Sequence, residues 1–173
     1  MAAFLTADLV DEYSDVLRCC ETQFRDYGGR RRFHGPVRTL RIFEDNALLK
    51  QALMEPGAGA VLVVDGSGSL RCSLLGDYLA GLGARNGWAG LVVWGAVRDT
   101  AALRGLDFGL KALGSNPWRS RKTGAGMRDI PVRFGGVEFR PGDWLYGDED
   151  GLVVSERELL APTKRDEHAL HAT

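Results

Sequence analysis

Two apolar runs thirty residues apart constrain this chain more than any other feature. Residues 60–64 (Ala-Val-Leu-Val-Val) and 90–95 (Gly-Leu-Val-Val-Trp-Gly) are continuous, β-branched and bounded by glycine. Neither alternates with polar residues, so each predicts a strand buried on both faces, as in a sheet covered on two sides. Between them, residues 78–86 carry helical apolar spacing and open on Gly76-Asp77. Strand, helix and strand in that order predict an α/β core with at least partly parallel strands.

The flanking segments extend this pattern. A first helix is expected from residue 7 to about 19, with Thr6 or Asp8 as its cap. Alternation over 36–43 predicts a strand, and Asp45-Asn46 then caps a short helix over 47–54 that Pro56-Gly57 ends. A short strand is expected over 70–74, a short helix over 100–104 and an apolar segment over 108–112. Residues 115–128 read as an exposed, basic loop. Strands over 131–134, 137–140, 144–146 and 152–154 come next, joined by glycine turns, with a closing helix over 155–160 and a polar, frayed tail from 162 to 173. The chain of 173 residues fits one domain, with its core over about 5–160.

Charge narrows the functional classes. Lys and Arg number 22 against 23 Asp and Glu, a formal net charge of −1, which argues against a chain that coats nucleic acid with a basic face. Arg30-Arg31-Arg32 and the stretch from Arg119 to Arg128 are read as solvated charge rather than as an RNA-binding surface. No apolar run is long enough to span a bilayer, and the first eight residues lack the layout of a signal peptide, so a cytoplasmic protein is expected. Cys19, Cys20 and Cys72 form no CxxC pair and are expected to be buried or half-buried thiols. His34 stands alone and His168 and His171 lie in the polar tail, which argues against a histidine-based metal site or a Ser-His-Asp triad.

Chemistry concentrates between Asp65 and Asp99. Each buried strand there is followed by glycine and then by charge, at the strand ends where open α/β sheets place ligands. Gly76 at the start of a helix leaves backbone N–H groups free for a carboxylate, and Arg98 can grip the same carboxylate through two parallel bonds. Asp99 beside it can bind a divalent cation. The structural alternatives are concrete: Asp77 as a helix cap, Arg98-Asp99 as a surface ion pair, Asp65-Gly66 as a plain turn, and Lys111 as a solvent-facing or snorkelling side chain rather than a Schiff-base lysine.

The ordered motifs Gly76-Asp77-Tyr78-Leu79 and Trp94-Gly95-Ala96-Val97-Arg98-Asp99, with twenty residues between Asp77 and Arg98, resemble the regulator of ribonuclease activity A / class II pyruvate aldolase (RraA-like) family. Phe43-Glu44-Asp45-Asn46, Val64-Asp65-Gly66, Gly105-Leu106-Asp107-Phe108-Gly109 and Gly147-Asp148-Glu149-Asp150-Gly151 extend the match to about residues 5–160. The resemblance implies a single compact α/β domain of swivelling β/β/α topology with a mixed sheet core, assembled as a ring-shaped homotrimer with sites at subunit interfaces. It implies cleavage of 4-hydroxy-4-methyl-2-oxoglutarate to two pyruvates, and oxaloacetate decarboxylation through the same pyruvate enolate. The amides of Gly76, Asp77, Tyr78 and Leu79 and the Arg98 side chain would hold the pyruvyl group. Asp99 would anchor Mg²⁺ or Mn²⁺, and Asp77 would hold metal-bound or catalytic water. Ala102 stands where active aldolases carry an acidic residue, which resembles the branch that binds and inhibits ribonuclease E. A demethylmenaquinone methyltransferase label also occurs in the family, but no glycine-rich nucleotide-binding loop of Rossmann type is present here.

Overall fold

The two apolar runs lie side by side at the centre of the sheet. The computed structural model describes residues 3–160. In chain order its elements are α1 (Thr6–Tyr13), β1 (Arg18–Cys19), β2 (Arg25–Asp26), β3 (Phe33–Arg41), α2 (Ala47–Met54), β4 (Val61–Asp65), β5 (Ser73–Leu75), α3 (Asp77–Arg85), β6 (Gly90–Val97), α4 (Thr100–Arg104), β7 (Gly109–Ser115), β8 (Met127–Arg128), β9 (Val132–Phe134), β10 (Val137–Phe139), β11 (Trp144–Gly147) and β12 (Leu152–Ser155). β3, β4, β6 and β7 are adjacent and parallel, with Val61 opposite Gly90 and Val64 opposite Val93. α2, α3 and α4 are the crossovers between them, because parallel neighbours need a connection that returns the chain to the same edge.

Period-two alternation assigns the faces. Leu40, Ile42, Leu62, Val64, Leu91 and Val93 pack with Leu49, Leu53, Ala80 and Leu103 of the helices. Val37, Val61, Val63 and Val92 point the other way, onto Val132, Phe134, Val137 and Phe139 of the β9–β10 hairpin and onto Leu145 and Val154. All five residues of β4 are therefore buried. Each such Val or Leu contributes about 1.5–3 kcal/mol relative to exposure. Phe33, itself fully buried, lies where a Cβ on Gly90 or Gly109 would collide with its ring, so those two glycines make its socket.

β3 is the hinge between two kinds of sheet. Its first half, Phe33 to Pro36, pairs antiparallel with β11; its second half, from Val37, pairs parallel with β4. β12 and β1 continue beyond β11, and β2 closes the far edge beside β7. The result is the mixed-sheet β/β/α domain that the resemblance implies.

Several boundaries differ from expectation. The first helix stops at Tyr13 rather than near Cys19, because Arg18 and Cys19 pair with Val154 and Val153. Neither Thr6 nor Asp8 caps it as N-cap side chain; that position is Leu5, and the carboxylate of Asp148 accepts both the Thr6 N–H (2.7 Å) and its hydroxyl (2.7 Å). α2 falls over the expected residues, yet its start is capped by the Asp45 carboxylate on the Ala47 N–H, while Asn46 donates to Leu74 O instead. Residues 155–160 form no helix: Ser155 ends β12 and bends come after it, with the Leu159 N–H bonded to the Tyr146 hydroxyl. Within the expected 115–128 loop, Met127 and Arg128 form β8 against β3, and Arg128 makes two 2.7 Å bonds to Glu55. Those bonds, with Arg38 beside them, hold the Glu55 carboxyl down to about 2. Cys20 and Cys72 are buried but Cys19 is exposed, since it lies on the open side of β1. The tail from 162, with His168 and His171, lies outside the described residues.

Candidate active site

β5 and β6 end together, and the residues just past the two strands meet in one cleft. The Arg98 N–H donates to Leu75 O (2.9 Å), which ties the two strand ends at the start of α3. Asp99 then adopts the left-handed region (φ 58°, ψ 38°), uncommon for a residue with a side chain. That turn swings its carboxylate back, so that Oδ2 accepts the Asp77 N–H at 3.2 Å. A Cβ on Gly76 would collide with Asp99 Oδ2, so a larger residue there would push the carboxylate off the Asp77 N–H. The cleft of ≈480 Å³ takes in Gly76, Asp77, Tyr78, Leu79, Arg98 and Asp99 on this side.

The first turn of α3 supplies donors. The Ala80 N–H is the first to bond back along the helix, to Gly76 O at 3.1 Å. The N–H groups of Tyr78 and Leu79 have no partner among the described residues, as expected of the opening positions of a helix. Together with the positive end of the helix dipole they favour an anion. Arg98 is exposed, forms no ion pair among the described residues, and makes one long contact to Pro117 O (3.4 Å). All six residues singled out from the sequence therefore share one cleft. Tyr78 and Leu79 contribute through their backbone; Leu79's side chain is buried in the core.

The opposite wall was not legible in the sequence. Asn46, Lys50, Arg119, Ser120 and Lys122 line the same cleft. The basic loop is stitched down on both sides: Ser73 N–H to Trp118 O (2.8 Å), Ser120 hydroxyl to Ser73 O (2.5 Å), Arg121 N–H to Glu44 O (2.9 Å) and Asn46 N–H to Arg121 O (3.0 Å). Four basic side chains, Lys50, Arg98, Arg119 and Lys122, thus surround two acidic ones, Asp77 and Asp99. By contrast Arg30 and Arg32 of the triple-arginine run are engaged with Asp107 (3.0 Å) and Glu149 (3.8 Å).

Lys111 corrects its sequence reading. It neither faces solvent nor snorkels: its side chain is 2% exposed, and Nζ donates to Asp26 Oδ1 (2.8 Å) and to Asp148 O (2.6 Å). Asp26 comes from the two-residue β2, a partner 85 positions away that no local pattern announces. Asp65 does form the plain turn expected, accepting the Ser67 N–H at 2.9 Å.

The donor set of the cleft decides what cation it could hold. Among the described residues no group of three or more His, Cys, Asp or Glu is arranged to hold a metal. Asp99 Oδ1 and both Asp77 carboxylate oxygens accept no hydrogen bond there. A hard ion such as Mg²⁺ binds through one or two carboxylates and keeps water and substrate oxygens for the rest, and Asp99 as the carboxylate with Asp77 free to hold a water fits that demand. Ala102, exposed on α4, adds no oxygen ligand.

An anion-binding helix start facing an arginine, at the ends of parallel strands, is a ligand site of the α/β class. The family model described as RraA-like, Aldolase/RraA, matches residues 6–154, and the chain belongs to this family. A protein of Alkalilimnicola ehrlichii named "Putative 4-hydroxy-4-methyl-2-oxoglutarate aldolase" is 57% identical over 155 residues, covering 90% of this chain and 96% of its own. A solved Thermus thermophilus structure described as the RNA-processing inhibitor RraA superposes with a TM-score of 0.88 at 50% identity, covering 93% of this chain and 97% of its own. A Geobacillus kaustophilus structure described as S-adenosylmethionine: 2-dimethylmenaquinone methyltransferase gives 0.90 at 46% identity, covering 92% and 99%.

Proposed function

We propose that this chain is a divalent-metal-dependent lyase that cleaves 4-hydroxy-4-methyl-2-oxoglutarate to two pyruvates and decarboxylates oxaloacetate through the same enolate. One observation carries the reading: the Arg98 guanidinium, without an ion pair among the described residues, the Tyr78 and Leu79 N–H groups, without an acceptor there, and the Asp99 carboxylate share one cleft. The aldolase name borne by the 57%-identical relative supports it.

In this scheme Arg98 and the Tyr78 and Leu79 amides hold the carboxylate of the 2-oxo acid, which fixes the orientation of its carbonyl. Asp99 holds Mg²⁺ or Mn²⁺, which when bound acts as a Lewis acid on the 2-oxo group. Asp77, exposed at the start of α3, holds the water that accepts the C4 hydroxyl proton. The C3–C4 bond then breaks, its electron pair passes to the C2–C3 enolate, and C4 becomes the carbonyl of the first pyruvate. Return of a proton to C3 gives the second. With oxaloacetate the departing group is carbon dioxide and the enolate is the same. Lys50, Arg119 and Lys122 give the cleft the positive surplus that a dicarboxylate needs.

The test is pyruvate release from both substrates with and without Mg²⁺ or Mn²⁺. An Arg98→Ala chain that retained full activity would sink the reading.

A specific observation favours a second reading, a non-catalytic regulator that binds and inhibits ribonuclease E. Position 102 offers no carboxylate, and the 50%-identical Thermus thermophilus relative is described as an RNA-processing inhibitor. Absence of complex formation with ribonuclease E in a pull-down at low salt would remove it. In either reading we place the chain in a homotrimer, which would cover the exposed Met54 and Tyr78 of the cleft and the exposed Trp118. Sedimentation at the mass of one chain would refute that assembly.

A further inference from the structure

Asp45 belongs to a motif, Phe43-Glu44-Asp45-Asn46, to which the proposed reaction gives no task. It is 2% exposed although charged, and its carboxylate accepts four hydrogen bonds. Oδ2 takes the Thr123 N–H (2.6 Å) and the Thr123 hydroxyl (2.5 Å); Oδ1 takes the Gly124 N–H (3.1 Å) and the Ala47 N–H (3.2 Å). The cap on α2 is the longest of the four. The three shorter bonds go to a loop 78 and 79 positions along the chain, the loop that carries Arg119, Ser120 and Lys122 into the cleft. Burial alone would push the Asp45 carboxyl up, but these bonds outweigh it and hold it below the ordinary carboxylate range.

The two edges of the loop are fastened differently. Toward β5, Trp118 and Ser120 are bonded to Ser73, and Ser120 is buried. Toward α2, Arg121 is bonded through its backbone to Glu44 and Asn46, whereas Thr123 and Gly124 are exposed and bonded to the Asp45 carboxylate, so their N–H groups can turn to water if it is lost. Loss of the Asp45 carboxylate should therefore free residues 122–124 without unfolding the core. Lys122, whose Nζ reaches Asn46 Oδ1 at 3.3 Å, lies in that stretch.

We propose that Asp45 is a positioning residue of the cleft, a buried carboxylate clamp that holds residues 122–124 down so that Lys122 faces the bound ligand. It rests on the cleft being a carboxylate site, as proposed above. It touches no substrate and acts through the loop alone.

The experiment compares wild type with Asp45→Ala, Asp45→Asn and Thr123→Val, by amide hydrogen exchange and by calorimetric binding of malonate, an unreactive dicarboxylate, in Mg²⁺ buffer. In Asp45→Ala the Thr123 and Gly124 amides should exchange about tenfold faster or more, with Arg121, which is bonded to Glu44 O, and Ser120 and the β4 amides unchanged, as expected for losing bonds to a charged acceptor. Malonate should bind about tenfold more weakly. Asp45→Asn should recover part of both effects, and Thr123→Val, which removes one bond, should show a smaller shift in the same direction. Should Asp45→Ala fail to fold, the asparagine and valine variants carry the comparison. Unchanged loop exchange, or faster exchange with unaltered malonate affinity, overturns the clamp, as does a wild type that binds no malonate. A wild type that binds malonate but releases no pyruvate fails the proposed reaction alone, and the clamp is still judged by exchange and affinity.

Discussion

Charge is used in opposite ways at two places in this fold. In the cleft at the ends of β5 and β6, Arg98 is exposed and without a carboxylate, and Asp77 accepts no hydrogen bond among the described residues. On the far face of β7, Lys111 is buried and meets the Asp26 carboxylate and the Asp148 carbonyl, while the Asp148 carboxylate is filled by the Thr6 hydroxyl and the Thr6 and Asp150 N–H groups. Both sites sit beside glycine-rich motifs and look alike as strings of letters. The difference is satisfaction: a network whose donors and acceptors all meet within the chain holds the fold, whereas one whose groups are left facing a cleft has capacity for a ligand.

The largest effect should come from breaking the buried network. Lys111→Ala leaves the largely buried Asp26 carboxylate and the Asp148 carbonyl without their donor and should cost about 3–5 kcal/mol, read by urea unfolding. In whatever fraction stays folded, pyruvate release per molecule should match wild type. A Lys111→Ala chain as stable as wild type would erase the distinction from one side. Arg98→Ala should do the reverse, lowering turnover by about two orders of magnitude while the melting temperature stays within a degree or two of wild type. Gly76→Ala sharpens the geometry: its Cβ displaces the Asp99 carboxylate, and a misplacement of that size costs on the order of 10²-fold or less in turnover, with Mn²⁺ affinity falling in parallel.

A smaller effect is expected with pH. Burial would raise the Asp148 carboxyl, but the bonds from Thr6, Asp150 and Gly151 prevail and hold it below its ordinary value. A carboxyl lowered in the folded state stabilises above the unfolded value of about 3.9, and that contribution is lost as pH falls through the folded value. Thermal unfolding followed from pH 6 to pH 2 should therefore steepen below about pH 4 in wild type and be flatter in Asp148→Asn. Identical curves would show that Asp148 does not hold α1 through its charge. The smallest change is Ala102→Asp, which should raise metal-dependent turnover by a few-fold if a carboxylate at that exposed position is all that limits it.

Legibility in the sequence divides along the same line. The buried runs of β4 and β6, the helix α2 over Ala47–Met54 and the short α4 over Thr100–Arg104 depend on local periodicity and local caps, and were readable. So was one wall of the cleft, since Gly76, Asp77, Arg98 and Asp99 lie within two strand ends. The elements that were misread depend on distant partners. β1 needs β12 to stop α1 from being extended, β8 needs β3, and Lys111 needs Asp26 on a two-residue strand. The second cleft wall needs Asp45 to recruit a loop from position 123, and no spacing rule links those residues.

The decisive measurement is pyruvate release from oxaloacetate and from 4-hydroxy-4-methyl-2-oxoglutarate, with and without Mg²⁺ or Mn²⁺, for wild type beside Arg98→Ala. Metal-dependent release that falls about a hundredfold in the variant is the expected result. Release no faster than metal alone, or equal in both proteins, would contradict a lyase site in this cleft and leave a binding scaffold.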